Sequence, residues 1–374
     1  MAVRYRPCAA SLFGALVSAA PVRAYATIAG MLPTQVTRPV LAALTAMVLA
    51  APLVAQTTAP ATGRAVYSPP RTPWGDPDLQ GIWPSTDMVG VPLERPEKFG
   101  TRLMLTDAEF KEAQRAAAAQ SSLEVQDFDV TNPAPELQAL GDFGDGTSPP
   151  PHWLERGGAS RQTSLIVQPA NGRLPRMTAA GEAHQKDVRT TYVQRSNFAS
   201  PSDLGPYDRC ISRGVVGSMM PVVYNTGTEI IQIPGYVVLR HEMIHETRIV
   251  PLDGRAHLSP AFKSYMGSSR ASWDGNTLVV RTIGVNGRNG LDGNGQLVLT
   301  SDRSEFVERF TPVGPDTLQY EVTITDPGTW TAPVQIAFPL RRQSDYQILE
   351  YACHEGNYSM RNTLSGSRAE ERVK

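Results

Sequence analysis

The sequence predicts a mainly β protein. An antiparallel meander closes as a lipocalin-like barrel or a strongly bent sheet, preceded by an extended arm and two or three helices. Three observations lead there. The 374 residues include 31 glycines and 31 prolines, a share that favours turns and short elements over long helices. From Thr228 onward, runs rich in β-branched and aromatic residues alternate with turn sequences. In the clearest run, Leu318, Tyr320, Val322 and Ile324 alternate with Gln319, Glu321, Thr323 and Thr325, the period-2 pattern of a strand with one buried face.

Residues 1–55 read as a targeting region and are set apart from the fold. They carry Arg4, Arg6, Arg23 and Arg38 and no acidic residue. Two apolar blocks, Ala9 to Ala20 and Val40 to Ala50, follow basic starts, and Met31 reads as the true translation start, with residues 1–30 an upstream extension. Each block is shorter than the ~20 residues of a spanning helix, so a cleaved signal is expected rather than an anchor. The expected location is periplasmic or secreted, with no stable membrane insertion after cleavage. The leader holds four of the 35 Lys and Arg and none of the 36 Asp and Glu, so the remainder is near −5. No basic stripe is left for nucleic acid.

Residues 56–73 form a polar, proline-rich linker, and residues 74–227 an arm with helices and loops packed on the module of residues 228–374. Trp74, Leu79, Ile82 and Trp83 sit among Pro and Gly, which predicts an extended arm pinned by its tryptophans. Thr106 and Glu109 have capping-box spacing and open a helix running to about Gln120. Residues 127–152 read as a loop, and a second helix is expected from Ala179 to Tyr192. Strands are expected at Glu229–Ile233, Tyr236–Val250, Ser269–Trp273, Thr277–Ile283, Glu305–Val313, Thr317–Thr325, Val334–Leu340 and Tyr346–Cys353. Pro234-Gly235, Asp274-Gly275-Asn276 and Gly314-Pro315-Asp316 supply hairpin turns.

Four stretches carry a resemblance: Pro73–Trp83, Arg248–Arg255, Trp273–Leu278 and Glu350–Tyr358 (EYACHEGNY). They resemble a widespread family of exported bacterial proteins of unknown function, across nearly the whole mature chain. The resemblance implies a compartment and a single-module layout, and no mechanism. The hairpin Trp273–Leu278 is also similar to lipocalin-like barrels.

His241-Glu242-Met243-Ile244-His245 matches H-E-x-x-H, which binds zinc only on a helix. The neighbouring Ile and Val residues favour a strand. There His241 and His245 would lie about 13 Å apart at ~3.3 Å per residue, too far to share one metal. On one long strand Glu242, Glu246 and Arg248 would face away from His241, Met243 and His245. Such a strand presents either a solvated face or a polar pocket with desolvated acid–base groups.

Cys8 falls in the leader, and Cys210 and Cys353 are expected to form a disulfide. That bond would orient His354 as a general base beside Glu355, or the pair would merely satisfy backbone near the bridge. Asp253, Arg255 and His257 read first as a turn with an ion pair. Arg209, Arg248, Arg270, Tyr224 and His257 are candidates for binding a ligand, the arginines through bidentate geometry to a carboxylate. Asn286–Gln296 looks calcium-like, but Arg303 takes the twelfth position counted from Asp292, so a flexible rim loop is expected.

The preferred expectation is an exported small-molecule-binding protein performing cofactor-independent acid–base chemistry (lyase, isomerase or hydrolase) through His245, His354, Glu242 and Glu355. The alternatives are a non-catalytic lipocalin-like carrier and a zinc hydrolase using His241 and His245.

Overall fold

A computed structural model describes residues 67–124, 155, 157–186, 188 and 198–373. The predicted leader, the loop at 127–152 and the end of the second helix towards Tyr192 lie outside the described residues. All described residues belong to the unit that spans Thr62–Lys374.

Among the described residues ten strands form: β1 Gly81–Ile82, β2 Ile166–Gln168, β3 Thr228–Ile233, β4 Tyr236–His241, β5 Thr247–Pro251, β6 Ser268–Asp274, β7 Thr277–Ile283, β8 Glu305–Gly314, β9 Thr317–Thr325 and β10 Val334–Arg341. Four α-helices accompany them: α1 Asp107–Glu124, α2 Ala179–Gln185, α3 Gly214–Gly217 and α4 Ser359–Glu371. The mainly β, antiparallel expectation holds. The strands divide into two sheets, ordered β1-β3-β4-β5 and β2-β10-β9-β8-β7-β6. Each order has two ends, so no closed barrel forms among the described residues.

The hairpins form where turn sequences interrupt the β runs. Leu318, Tyr320, Val322 and Ile324 of β9 are fully buried. Tyr320 stands between Phe310 and Phe338 on the flanking strands, with ring centroids 5.2 and 5.3 Å away. Ile230, Val237, Leu239 and Val250 of the smaller sheet join the same apolar core as Leu278, Phe306 and Phe310 of the larger one. From the arm, Leu79 and Trp83 enter this core, while Trp74 is exposed. β1 then adds to β3, pairing Gly81 with Ile230. The capping box is present: Glu109 N–H donates to Thr106 Oγ1, and Thr106 N–H to Glu109 Oε2. Arg102 pairs with Glu109 and draws its carboxyl down to about 2.

Two expected strands are corrected. Tyr236–Val250 is a hairpin of β4 and β5, turned by residues 242–246. The turn is closed by His241 N–H donating to Glu246 O at 2.9 Å. Ile244 and His245 take left-handed φ values of 62° and 43° there. Tyr346–Cys353 is not a strand. β2 already occupies the free edge of β10, so the sheet has no edge there to receive another strand.

Candidate functional site

An ionic seam runs between the sheets. The inward positions of β8 are Phe306, Glu308, Phe310 and Pro312, so the alternation itself sends a carboxylate into the core. Arg248 of β5 meets it with a two-pronged bond: Nη1 to Glu308 Oε2 at 2.5 Å and Nη2 to Oε1 at 2.9 Å. Tyr320 O–H donates to the same carboxylate at 3.2 Å. Burial alone would lower the Arg248 pKa, but Glu308 more than offsets that and the net direction is upward.

His241 lies on the same inner face. Its Nδ1 is 3.1 Å from Thr228 Oγ1, and its Nε2 is buried without a hydrogen-bond partner. Burial pushes its pKa well below the usual value, and Arg248 and Arg213 push the same way. Arg213 is buried, and burial pulls it down to about 10. It donates to the Gly293 carbonyl at 2.5 Å. Glu246 accepts from Ser212 Oγ at 2.9 Å and from Ser218 Oγ at 3.4 Å, and burial raises its pKa.

His241 gives the first prediction. Its folded-state pKa lies below its unfolded value near 6.5. Below that pH the unfolded chain takes up a proton that the folded chain refuses. Its contribution to stability is therefore present above about pH 6.5 and is lost as pH falls towards the folded pKa. In urea melts at about pH 7 and about pH 5, His241→Gln should lose less stability on acidification than wild type. Equal losses would refute the assignment.

The residues singled out from the sequence do not converge. His245 is exposed in the β4–β5 turn, and His354 and Glu355 are exposed in the turn after Cys353. None of the three lines the cleft beside Arg209. Glu242 is buried, but its two oxygens already receive Tyr346 O–H at 2.6 Å, Leu349 N–H at 3.0 Å, Asn225 Nδ2 at 3.1 Å and Gly227 N–H at 3.3 Å. A carboxylate offers about four acceptor sites, so Glu242 is saturated as a clamp on the chain after β10. Arg248 is consumed by Glu308. Arg270 donates to the carbonyls of Arg255, Ala256 and Ser269 and braces that loop. His257 Nδ1 lies 2.8 Å from the Ser268 carbonyl, and burial lowers its pKa. Asp253 and Arg255 make the expected turn ion pair.

His241 is in a strand and buried while His245 is in a turn and exposed, so the helical zinc geometry is not formed. Among the described residues, no group of three His, Cys, Asp or Glu side chains is placed to hold a metal ion. No helix among them is long and apolar enough to cross a membrane.

Cys210 and Cys353 lie at disulfide distance, with Cα atoms 5.8 Å apart. Beside them Tyr207 O–H reaches Tyr224 O–H and Tyr351 O–H, both at 3.2 Å. Burial raises the Tyr207 pKa strongly, and its two neighbours add to the shift. Tyr224 thus helps fasten the Tyr351 segment to residues 206–213.

Arg209 alone among the predicted ligand-binding residues lines a cleft. The cleft holds about 290 Å³ between α2, residues 202–209 and residues 287–299, and none of its lining residues lies in a strand. His184, Asp203, Arg288 and Gln296 supply its other polar groups. His184 Nε2 is 2.9 Å from the Gly287 carbonyl. A carbonyl can only accept, so Nε2 carries a proton, and Nδ1 is the nitrogen left to exchange one with a guest. Residues 286–296 are not a flexible rim. Asp292 accepts from the backbone N–H groups of Asn294, Gln296 and Leu297 and folds the loop on itself. His184 and Gln296 had no sequence signal beyond residue type; their significance comes from contacts to Gly287 and Asp208, 103 and 88 residues away along the chain.

The chain matches no family model, no curated protein and no solved structure.

Proposed function

We propose that this is an exported protein that binds a small organic molecule in the cleft beside Arg209. One observation carries the reading: the cleft is lined by Arg209 and Arg288, and among the described residues neither guanidinium has a carboxylate partner. Arg209 is half-buried and Arg288 exposed at the cleft, and their forked donors suit an anionic guest. A periplasmic or secreted location is supported by the basic, apolar first 55 residues and by a cysteine pair at disulfide distance, a bond that persists in oxidising compartments. The reading does not need a lipocalin-like cup, because the cleft is built from loops and α2. Ser202→Trp, at an exposed lining position, should abolish thermal stabilisation by any small molecule that stabilises the wild type. Stabilisation that survives this substitution would move the site elsewhere.

Acid–base catalysis on the bound molecule is the second reading, favoured by the fixed tautomer of His184. On that reading His184→Phe should retain binding and lower turnover by about 10²–10⁴-fold. Turnover that persists in His184→Phe would assign the base to another residue. Recovery of the ligand chemically unchanged from wild-type protein would favour a carrier.

A further inference from the structure

Resting on the cleft as the ligand site, we infer that its ligand is a small hydroxylated carboxylic acid. Arg209 and Arg288 hold its carboxylate, and a hydroxyl donates to Gln296.

The charge balance of the lining gives the first half. Among the described lining residues Asp203 is the acid, and its Oδ2 accepts from Ala199 N–H at 2.8 Å and Ser200 N–H at 2.9 Å, capping the turn that begins at Pro201. Two guanidiniums then face the space with no acid among the described residues paired to them. Their forked donors match a planar carboxylate better than a point anion.

Gln296 gives the second half. It is 2 % exposed. Its Nε2 donates to Asp208 Oδ1 at 3.2 Å, which fixes the orientation of the amide. Its Oε1 is then a defined acceptor with no donor among the described residues and almost no accessible surface, so a guest in the cleft reaches it on a shift of the side chain. A buried acceptor left unmatched carries the full cost of its desolvation. A carboxylate cannot relieve that cost, because it too only accepts; a hydroxyl can. The guest therefore needs both groups. Val188, Leu204, Pro206 and Leu299 leave apolar wall for a carbon skeleton. The ~290 Å³ of the cleft admits roughly ten heavy atoms, at the ~30 Å³ that a water molecule occupies.

Calorimetry on the purified full-length protein tests this with two matched sets of probes: gluconate, hexanoate and sorbitol; mandelate, phenylacetate and 1-phenylethane-1,2-diol. In at least one set the hydroxy acid should bind more tightly than both its deoxy acid and its neutral counterpart. Arg209→Met should weaken the acids by about 10–100-fold and leave the neutral diol unchanged. Gln296→Met should bring the ratio of hydroxy acid to deoxy acid affinity to about one; being a ratio, this readout is not moved by a general loss of stability. If neither hydroxy acid binds at millimolar concentration, or neither is preferred to its counterparts, the inference is overturned. Neutral or deoxy probes that bind at least as tightly as the hydroxy acid, and lose that binding in Ser202→Trp, would overturn it while leaving the cleft as the site. Binding indifferent to Ser202→Trp would overturn both.

Discussion

Glu308→Leu should destabilise the protein by about 3–5 kcal/mol, and Arg248→Met by a comparable amount, whereas the double variant should lie within about 1–2 kcal/mol of wild type. Both side chains are almost completely removed from water, at 3 % and 0 % exposure. Each ion lost several kcal/mol of hydration on burial, and the two-pronged bond returns most of it only while both partners are present. Deleting one leaves the other charged and dry. For Arg248 the remaining neighbours are poor compensation, since its Nε already lacks a partner. For Glu308 only the Tyr320 hydroxyl remains. Replacing both with apolar groups of similar volume removes the desolvation cost together with the attraction. Urea melts of the four proteins give the coupling energy directly. If the double variant were as unstable as the sum of the singles, the pair would not act as a unit, and the seam would owe its stability to packing. The same result bears on function, because an arginine consumed by Glu308 is unavailable to a ligand.

That pair also marks where the sequence became unreadable. The hairpins of the larger sheet were legible because turn chemistry and period-2 patterning coincide: Asp274-Gly275-Asn276 turns β6 into β7, and every second residue of β9 is buried. The capping box was legible for the same reason, since Thr106 and Glu109 act three residues apart. The β4–β5 turn was not, because Ile244, a β-branched residue, takes φ 62° there, a conformation its side chain disfavours. Reading on through that turn as a strand kept the parity of one continuous strand. The turn resets it, so His245 goes to solvent and Arg248 comes to the inner face beside His241. The inserted turn reverses the expected pattern, as a one-residue register slip would. The division into two sheets was illegible because it depends on which edges are taken, as β2 takes the edge of β10. Of the candidate site, Arg209 was visible by its chemistry. His184 and Gln296 were not, because only the fold brings α2 and residues 287–299 against residues 202–209.

Loss of the Cys210–Cys353 link should cost about 2–5 kcal/mol, with the chain-entropy model giving the upper end for so long a loop. The cysteines are 143 positions apart, and the bridge therefore restricts most of the β-rich half in the unfolded state. At roughly 2–4 °C per kcal/mol, Cys210→Ala with Cys353→Ala should lower Tm by about 10 °C. The native-state consequence should be local. After β10 the chain has no strand partner, and it is fastened by Glu242 at Tyr346 and Leu349, by the Tyr207–Tyr351 contact, and by the cysteine pair. Removing the last leaves Glu350 to Tyr358 held only between the Tyr351 contact and α4, which residues 198–199 fasten through Ser367 and Arg368, so proteolysis of the folded variant should start in that span. The cleft should suffer as well. Arg209 precedes Cys210, whose φ of 54° is costly for a residue with a side chain. Release of that residue lets the backbone relax and the guanidinium lose its fixed position. The denatured, unreduced protein should contain no titratable thiol at positions 210 and 353. Two free thiols there would refute the bridge. A double variant with unchanged Tm and unchanged ligand affinity would show that the Glu242 and tyrosine contacts hold Arg209 without it.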